Sequence, residues 1–76
     1  MVEYRLMIGN RLTGVVVRQD PAYPGIMWRI HQGDQVSDMV NLTRAKDAAI
    51  SWARPKGLGG SEVAKWDRRE TAAREP

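Results

Sequence analysis

Seventy-six residues suffice for one small domain, a size at which folding buries only about 60% of the unfolded chain's surface and leaves no room for a second core. The absence of cysteine excludes disulfides and thiolate metal sites, so any stability rests on packing and a reducing compartment is the natural setting. Twelve Lys/Arg against nine Asp/Glu give a net charge of +3 and a pI near 9.8, a lean toward polyanions without the dense basic run that makes nucleic-acid binding hard to avoid.

The surplus is uneven: residues 1–53 carry six Arg/Lys against five Asp/Glu, and residues 54–76 carry six against four. No run approaches the roughly 18 apolar residues of a membrane span, and no signal-like apolar stretch opens the chain. A cytoplasmic protein without membrane contact is therefore expected.

Val2, Tyr4, Leu6 and Ile8 alternate with Glu3, Arg5 and Met7, the period of a half-buried strand. Gly9-Asn10 makes a turn, and Arg11 to Arg18 continues as a second strand. A two-residue hairpin would set Thr13, Val15 and Val17 opposite Leu6, Tyr4 and Val2. Val16 then faces the other way with Leu12 and Met7, so that side is either covered as well or a contact surface. Gln19 to Gly25 holds two prolines, a glycine and an aspartate and reads as a connector. Tyr23 within it is expected to pack as a lid over one end of the sheet.

Ile26 to Gln32 alternates again, with Ile26, Trp28 and Ile30 on one face and Met27, Arg29 and His31 on the other. Gln32-Gly33-Asp34-Gln35 fits a type II′ turn, because glycine takes positive φ without a Cβ clash. That register places Gln32 opposite Gln35, Ile30 opposite Ser37, Arg29 opposite Asp38 and Trp28 opposite Met39. After Val40 the period changes. Leu42, Ala45, Ala49 and Trp52, with Ala48 and Ala53 beside them, form one face of a helix over 43–54. Thr43 is the expected cap, Asp47 lies near the positive end, Pro55 stops the helix, Trp52 supplies the large buried area, and Arg44 and Lys46 point to water.

Pro55-Lys56-Gly57-Leu58-Gly59-Gly60 has the composition of a flexible linker and matches no phosphate-loop pattern. Ser61 offers a cap, and Val63, Trp66 and Ala73 with a Glu70–Arg74 pair would support a short helix. In isolation it is marginal; it would persist only with Val63 and Trp66 docked on the sheet or on a partner. The division expected is a sheet-plus-helix domain over 1–55 and a flexible or partly helical tail over 56–76. The fold class is α+β, an antiparallel sheet of three or four strands in β-β-β-β-α order on one C-terminal helix.

Catalytic and metal chemistry find little footing. His31 is the single histidine, with no cysteine or second histidine to share a metal. Asp34 and Asp38 are accounted for by a turn and a cross-strand pair, and Ser37, Ser51 and Ser61 have no base within readable reach. No enzyme activity, cofactor, metal or small-molecule substrate is expected. The constellation with more content is Arg5, Arg11, Arg18 and Arg29 with Trp28 and His31. Placed together on a sheet face free of the helix, they would make a basic, aromatic-bearing surface for phosphates and base edges; paired with Glu3 and Asp38, they would be ordinary solvation.

Gly14-Val15-Val16-Val17-Arg18, then Trp28-Arg29-Ile30, then Val40-Asn41-Leu42-Thr43-Arg44-Ala45-Lys46-Asp47-Ala48-Ala49 resembles, over residues 12–53, the three-strand-plus-helix DNA-binding domains of the ethylene-response-factor and phage-integrase type. The resemblance implies that Arg18, Trp28 and Arg29 face DNA. The chain departs from the family in an added N-terminal strand, fewer basic sheet residues and a proline-rich first connector. In size and single-helix design it is also similar to small phage or prophage products, anti-CRISPR proteins among them, that block a host complex. Two functions follow as expectations. The first is a non-enzymatic nucleic-acid binder using Arg11, Arg18, Trp28 and Arg29. The second is a small interaction protein that docks on a protein complex through Val63 and Trp66. A homodimer is compatible with either.

Overall fold

A computed structural model describes residues 2–53 and 63–70. It shows an antiparallel sheet and one helix, the α+β class expected, in the order β1 Val2–Ile8, β2 Arg11–Gln19, β3 Trp28–Gln32, β4 Gln35–Val36, α1 Leu42–Ala53 and β5 Ala64–Glu70. The sheet has five strands ordered β4-β3-β2-β1-β5, one more than the sequence suggests, and the helix lies mid-chain. No helix among the described residues is long and apolar enough to cross a membrane.

The first hairpin closes as expected at Gly9-Asn10, with Ile8 opposite Arg11 and Met7 opposite Leu12. The expected register then fails. Beyond a shift between Met7 and Arg5, Arg5 faces Val16, Tyr4 faces Val17 and Glu3 faces Arg18, so three residues of β2 stand against Leu6 alone. Thr13 repairs the interrupted ladder: its Oγ1 donates to the Leu6 carbonyl at 3.0 Å and accepts the Val15 N–H at 3.1 Å. Gly14 supplies the bend, with φ +86° and nothing within 4 Å of an added Cβ. Two extra residues preserve side-chain parity, which is why Val15 and Val17 still point into the core despite the slip. Substituting Gly14 with alanine should cost about 1–2 kcal/mol from backbone strain alone, since no clash adds to it. Urea denaturation should show a lowered midpoint with an unchanged m-value.

The second hairpin holds at its turn, with Gln32 opposite Gln35 and His31 opposite Val36. Gly33 has φ +59° and no non-glycine residue among the described ones has positive φ, as a type II′ turn requires. Ser37 meets Ile30, donating its N–H to the Ile30 carbonyl at 2.9 Å and accepting the Ile30 N–H on Oγ at 2.8 Å. One extra residue follows, and Trp28 then bridges Val40 instead of Met39. Arg29 is consequently not opposite Asp38. It turns to Asp20, with Nε to Oδ2 at 2.7 Å and Nη1 to the Ser37 carbonyl at 3.0 Å.

That pair organises the connector. Asp20 is buried; its N–H donates to the Met27 carbonyl at 2.9 Å and its Oδ1 accepts the Ala22 N–H at 2.8 Å. Tyr23 closes the turn through its backbone, accepting from Ile26 and Met27, while its ring stays exposed. The lid role expected for that ring is therefore absent. Ile26 also lies outside the strand and is exposed.

Both backbone groups of Val40 are spent on Trp28, so the chain leaves the ladder there and α1 starts at once. Asn41 is the cap in place of Thr43: its Oδ1 accepts the Arg44 N–H at 2.8 Å and its carbonyl accepts the Ala45 N–H at 2.9 Å. Ala45, Ala49 and Ala53, spaced by four, are fully buried. They let the helix backbone lie close on Leu6, Ile8, Val15, Val17, Trp28 and Ile30, which complete the core. The large indole in that core belongs to Trp28, whereas Trp52 only packs against its margin. Arg54 lies outside the described residues.

Ala64–Glu70 is a strand, in place of the flexible or partly helical segment expected there. It pairs with β1 from Ala64 opposite Ile8 to Glu70 opposite Val2. Trp66 is opposite Leu6, its ring 6.5 Å from Tyr4 in an edge-to-face arrangement. Lys46 is likewise not simply solvated: its Nζ sits 4.0 Å from the Tyr4 ring centroid and 5.6 Å from that of Trp66, a cation–π bracket between helix and sheet. The linker over 55–60, Ser61, Ala73 and Arg74 lie outside the described residues.

Candidate nucleic-acid interface

Register and parity divide the side chains of the sheet between two faces. The helix covers the face of Tyr4, Leu6, Ile8, Val15, Val17, Trp28, Ile30 and Trp66. On the other face one row runs across four strands: Arg29 opposite Arg18, Arg18 opposite Glu3, and Glu3 opposite Arg69. At about 4.8 Å per strand the row spans about 14 Å. A second row places His31 beside Val16, Val16 beside Arg5, and Arg5 beside Asp67. A third pairs Leu12, Met7 and Lys65.

Arg18 and Arg29 directly opposite each other would repel, and carboxylates on either side hold them. Glu3 takes Arg5 on Oε2 at 2.8 Å and Arg18 on Oε1 at 3.1 Å, Asp20 takes Arg29, and Asp67 takes Arg69 at 3.0 Å. The guanidinium of Arg5, and after it that of Arg18, holds the Glu3 carboxyl below the usual range against the opposing effect of burial. Arg29 and the Ala22 N–H do the same for Asp20. Burial, and then the charges of Arg18 and Arg29, push His31 below an ordinary imidazole, so it adds no charge at neutral pH.

These shifts fix the pH response of stability. A histidine whose folded pKa is depressed takes its proton more readily unfolded, so stability falls as pH drops below about 6.5. Depressed carboxylates give stability that is present above their unfolded values and is lost as pH falls through the folded ones. Thermal denaturation from pH 7 to pH 3 should therefore show the Tm declining in two stages. Asp20→Asn should lower the Tm at pH 7 and flatten the lower stage.

The four arginines singled out in the sequence separate. Arg5, Arg18 and Arg29 share the face opposite the helix with His31. Arg11 sits opposite Ile8 at the hairpin end, in the parity of the covered face. Trp28 is in the core at 5% exposure, where it packs and presents no ring for stacking. Of the two tail residues, Trp66 is used inside the fold against Tyr4 and Lys46, while Val63 remains 67% exposed. Sequence reasoning placed Glu3 beside Arg5 but missed Lys65, Asp67 and Arg69 as members of this face. The alternation of Lys65, Asp67 and Arg69 with Ala64, Trp66 and Arg68 is the signal that could have found them.

No family model matches the chain, and neither a curated protein nor a solved structure matches it. Charge placement carries the functional reading instead. The described residues hold nine Lys/Arg and seven Asp/Glu. The open face and its flanking Asp20 take five cations (Arg5, Arg18, Arg29, Lys65, Arg69) and three carboxylates (Glu3, Asp20, Asp67), leaving four against four elsewhere. The whole surplus of the described residues is on one side. Among those residues no group of three or more His, Cys, Asp or Glu side chains gathers to hold a metal ion.

Proposed function

We propose that this is a small non-enzymatic nucleic-acid-binding protein that lays the sheet face opposite its helix against the phosphate backbone. The observation that carries the reading is the confinement of the described residues' positive surplus to that face, in a row about as wide as a groove of duplex DNA. Arg29 is engaged by Asp20 and the Ser37 carbonyl, so phosphate contact falls chiefly to Arg5, Arg18, Lys65 and Arg69. The aromatic side chains of the strands all lie on the helix side, which favours backbone contact with a duplex over stacking with a single strand.

Four phosphate contacts give a slope near −3.6 in log K against log salt. Affinity for a short DNA duplex is then expected to fall about 100-fold between 50 and 200 mM salt. An absence of binding at 50 mM salt would remove the proposal.

A protein partner is the second reading, the small phage-type interaction protein. It draws on Leu12 and Val36, both exposed and both in the parity of the open face. For that partner the salt dependence would be shallow, and Leu12→Ser would weaken binding where loss of Lys65 would not.

A further inference from the structure

Glu3 and Arg5 are two apart on β1 and face the same way, and Arg18 stands directly opposite Glu3 on β2. The Glu3 side chain is 14% exposed, between arginine side chains exposed by 40% and 48%. Each carboxylate oxygen accepts one Nε–H. Among the described residues neither arginine donates any other side-chain hydrogen bond. A guanidinium carries five N–H donors in a planar fork that matches phosphate, so most of both forks is unspent. Beside them the β2 bulge opens a groove of about 280 Å³, lined by Glu3, Arg5, Leu12, Gly14, Val16 and Arg18 among others. Gly14 contributes no side chain to it, and nothing lies within 4 Å of where a Cβ would stand.

We propose that Arg5 and Arg18 form a phosphate-binding clamp in this groove, and that Glu3 is its resident anion, with which an incoming phosphoryl group competes. The ligand class is a phosphate group, either on a nucleic-acid backbone or as a small phosphate or diphosphate. The clamp deepens the open-face reading and rests on it for the nucleic-acid source alone; the groove and the two forks stand without it. The carboxylate neutralises one of the two charges, so the clamp presents a single net positive charge until Glu3 is displaced.

The test titrates the full-length protein with inorganic pyrophosphate and, separately, with a 12-base-pair duplex at low salt, following arginine Nε–Hε and backbone amide signals by NMR. Glu3→Gln keeps the side-chain shape and removes the charge, and should tighten pyrophosphate binding about five-fold. Arg18→Lys keeps the charge and loses the fork, and should weaken it by about the same factor, whereas Arg44→Lys, on the helix side, should leave it unchanged. Because Arg18→Lys perturbs the fold differently from Glu3→Gln, failure of one variant to fold leaves the other decisive. Tightening by Glu3→Gln in both titrations supports a clamp on nucleic-acid phosphate. Tightening for pyrophosphate alone supports a clamp for small phosphates and removes nucleic-acid phosphate as its ligand. Pyrophosphate binding that Glu3→Gln leaves unchanged or weakens overturns the clamp and leaves the open-face reading standing. No pyrophosphate binding by either protein overturns the clamp.

Discussion

Trp28→Ala should remove most of the stability of this protein. The indole is the largest side chain in a core otherwise made of one leucine, two isoleucines, two valines and three alanines. Large-to-small changes at such aromatic positions cost about 3–5 kcal/mol. A chain of this length has a total of only about 4–11 kcal/mol. The variant should melt more than about 12 °C below the parent, or be unfolded at room temperature. Loss of the Tyr4 contact, whose ring centroid is 5.5 Å away, adds to the cavity. Trp52→Ala should cost far less, because Trp52 only borders the core. Chemical denaturation of the two variants side by side checks the ranking. Equal losses would mean that the helix, not β3, carries the aromatic anchor.

Removing Arg18 and Arg69 together should have the largest effect on binding. Each glutamine in place of an arginine deletes one phosphate contact, so the salt slope should fall from about −3.6 to about −1.8. The loss of duplex affinity between 50 and 200 mM salt would then shrink from about 100-fold to about tenfold. Arg44→Gln with Arg68→Gln removes the same net charge from outside the open face and should leave the slope nearly intact. Fluorescence anisotropy across a salt series separates the two double variants. Matching slopes would show that net charge alone, without a face, governs association.

The hairpin turns and the alanine face of the helix were legible because each follows from local chemistry: glycine where φ is positive, and a spacing of four where a helix meets a sheet. The slips were not, because each depends on a side-chain hydrogen bond that alternation along a strand does not reveal. At Thr13 a hydroxyl substitutes for the ladder and lets two extra residues into β2. Past Ser37 the hold of Asp20 on Arg29 frees that arginine from Asp38, and the pairing advances by one. Asp20 itself looked like connector filler, and its burial comes from the Arg29 guanidinium and the N–H groups of its own turn. The fifth strand was hidden for a different reason. Only Ala64 and Trp66 on its inner face are apolar, so the period of two is written in charge, and the i,i+4 pair of Glu70 and Arg74 pointed to a helix.

Of the candidate site, Arg5, Arg18 and Arg29 could be placed on a shared face by counting alternate residues. Trp28, the neighbour of Arg29 in the same strand, falls on the opposite face by the same count. The cations contributed by β5 were beyond reach without knowing that it pairs with β1. Glu3, read as a partner that cancels Arg5, is also the cross-strand neighbour of Arg18 and Arg69.

The central claim is that one side of the sheet meets phosphate while the other holds the helix, and amide chemical-shift mapping with a 12-base-pair duplex at about 50 mM salt tests it most directly. The account predicts shifts at Glu3, Arg5, Val16, Arg18, Lys65 and Arg69, with Ala45, Ala49 and Ala53 unmoved. Shifts centred on the helix, or none along β1, β2 and β5, would contradict it.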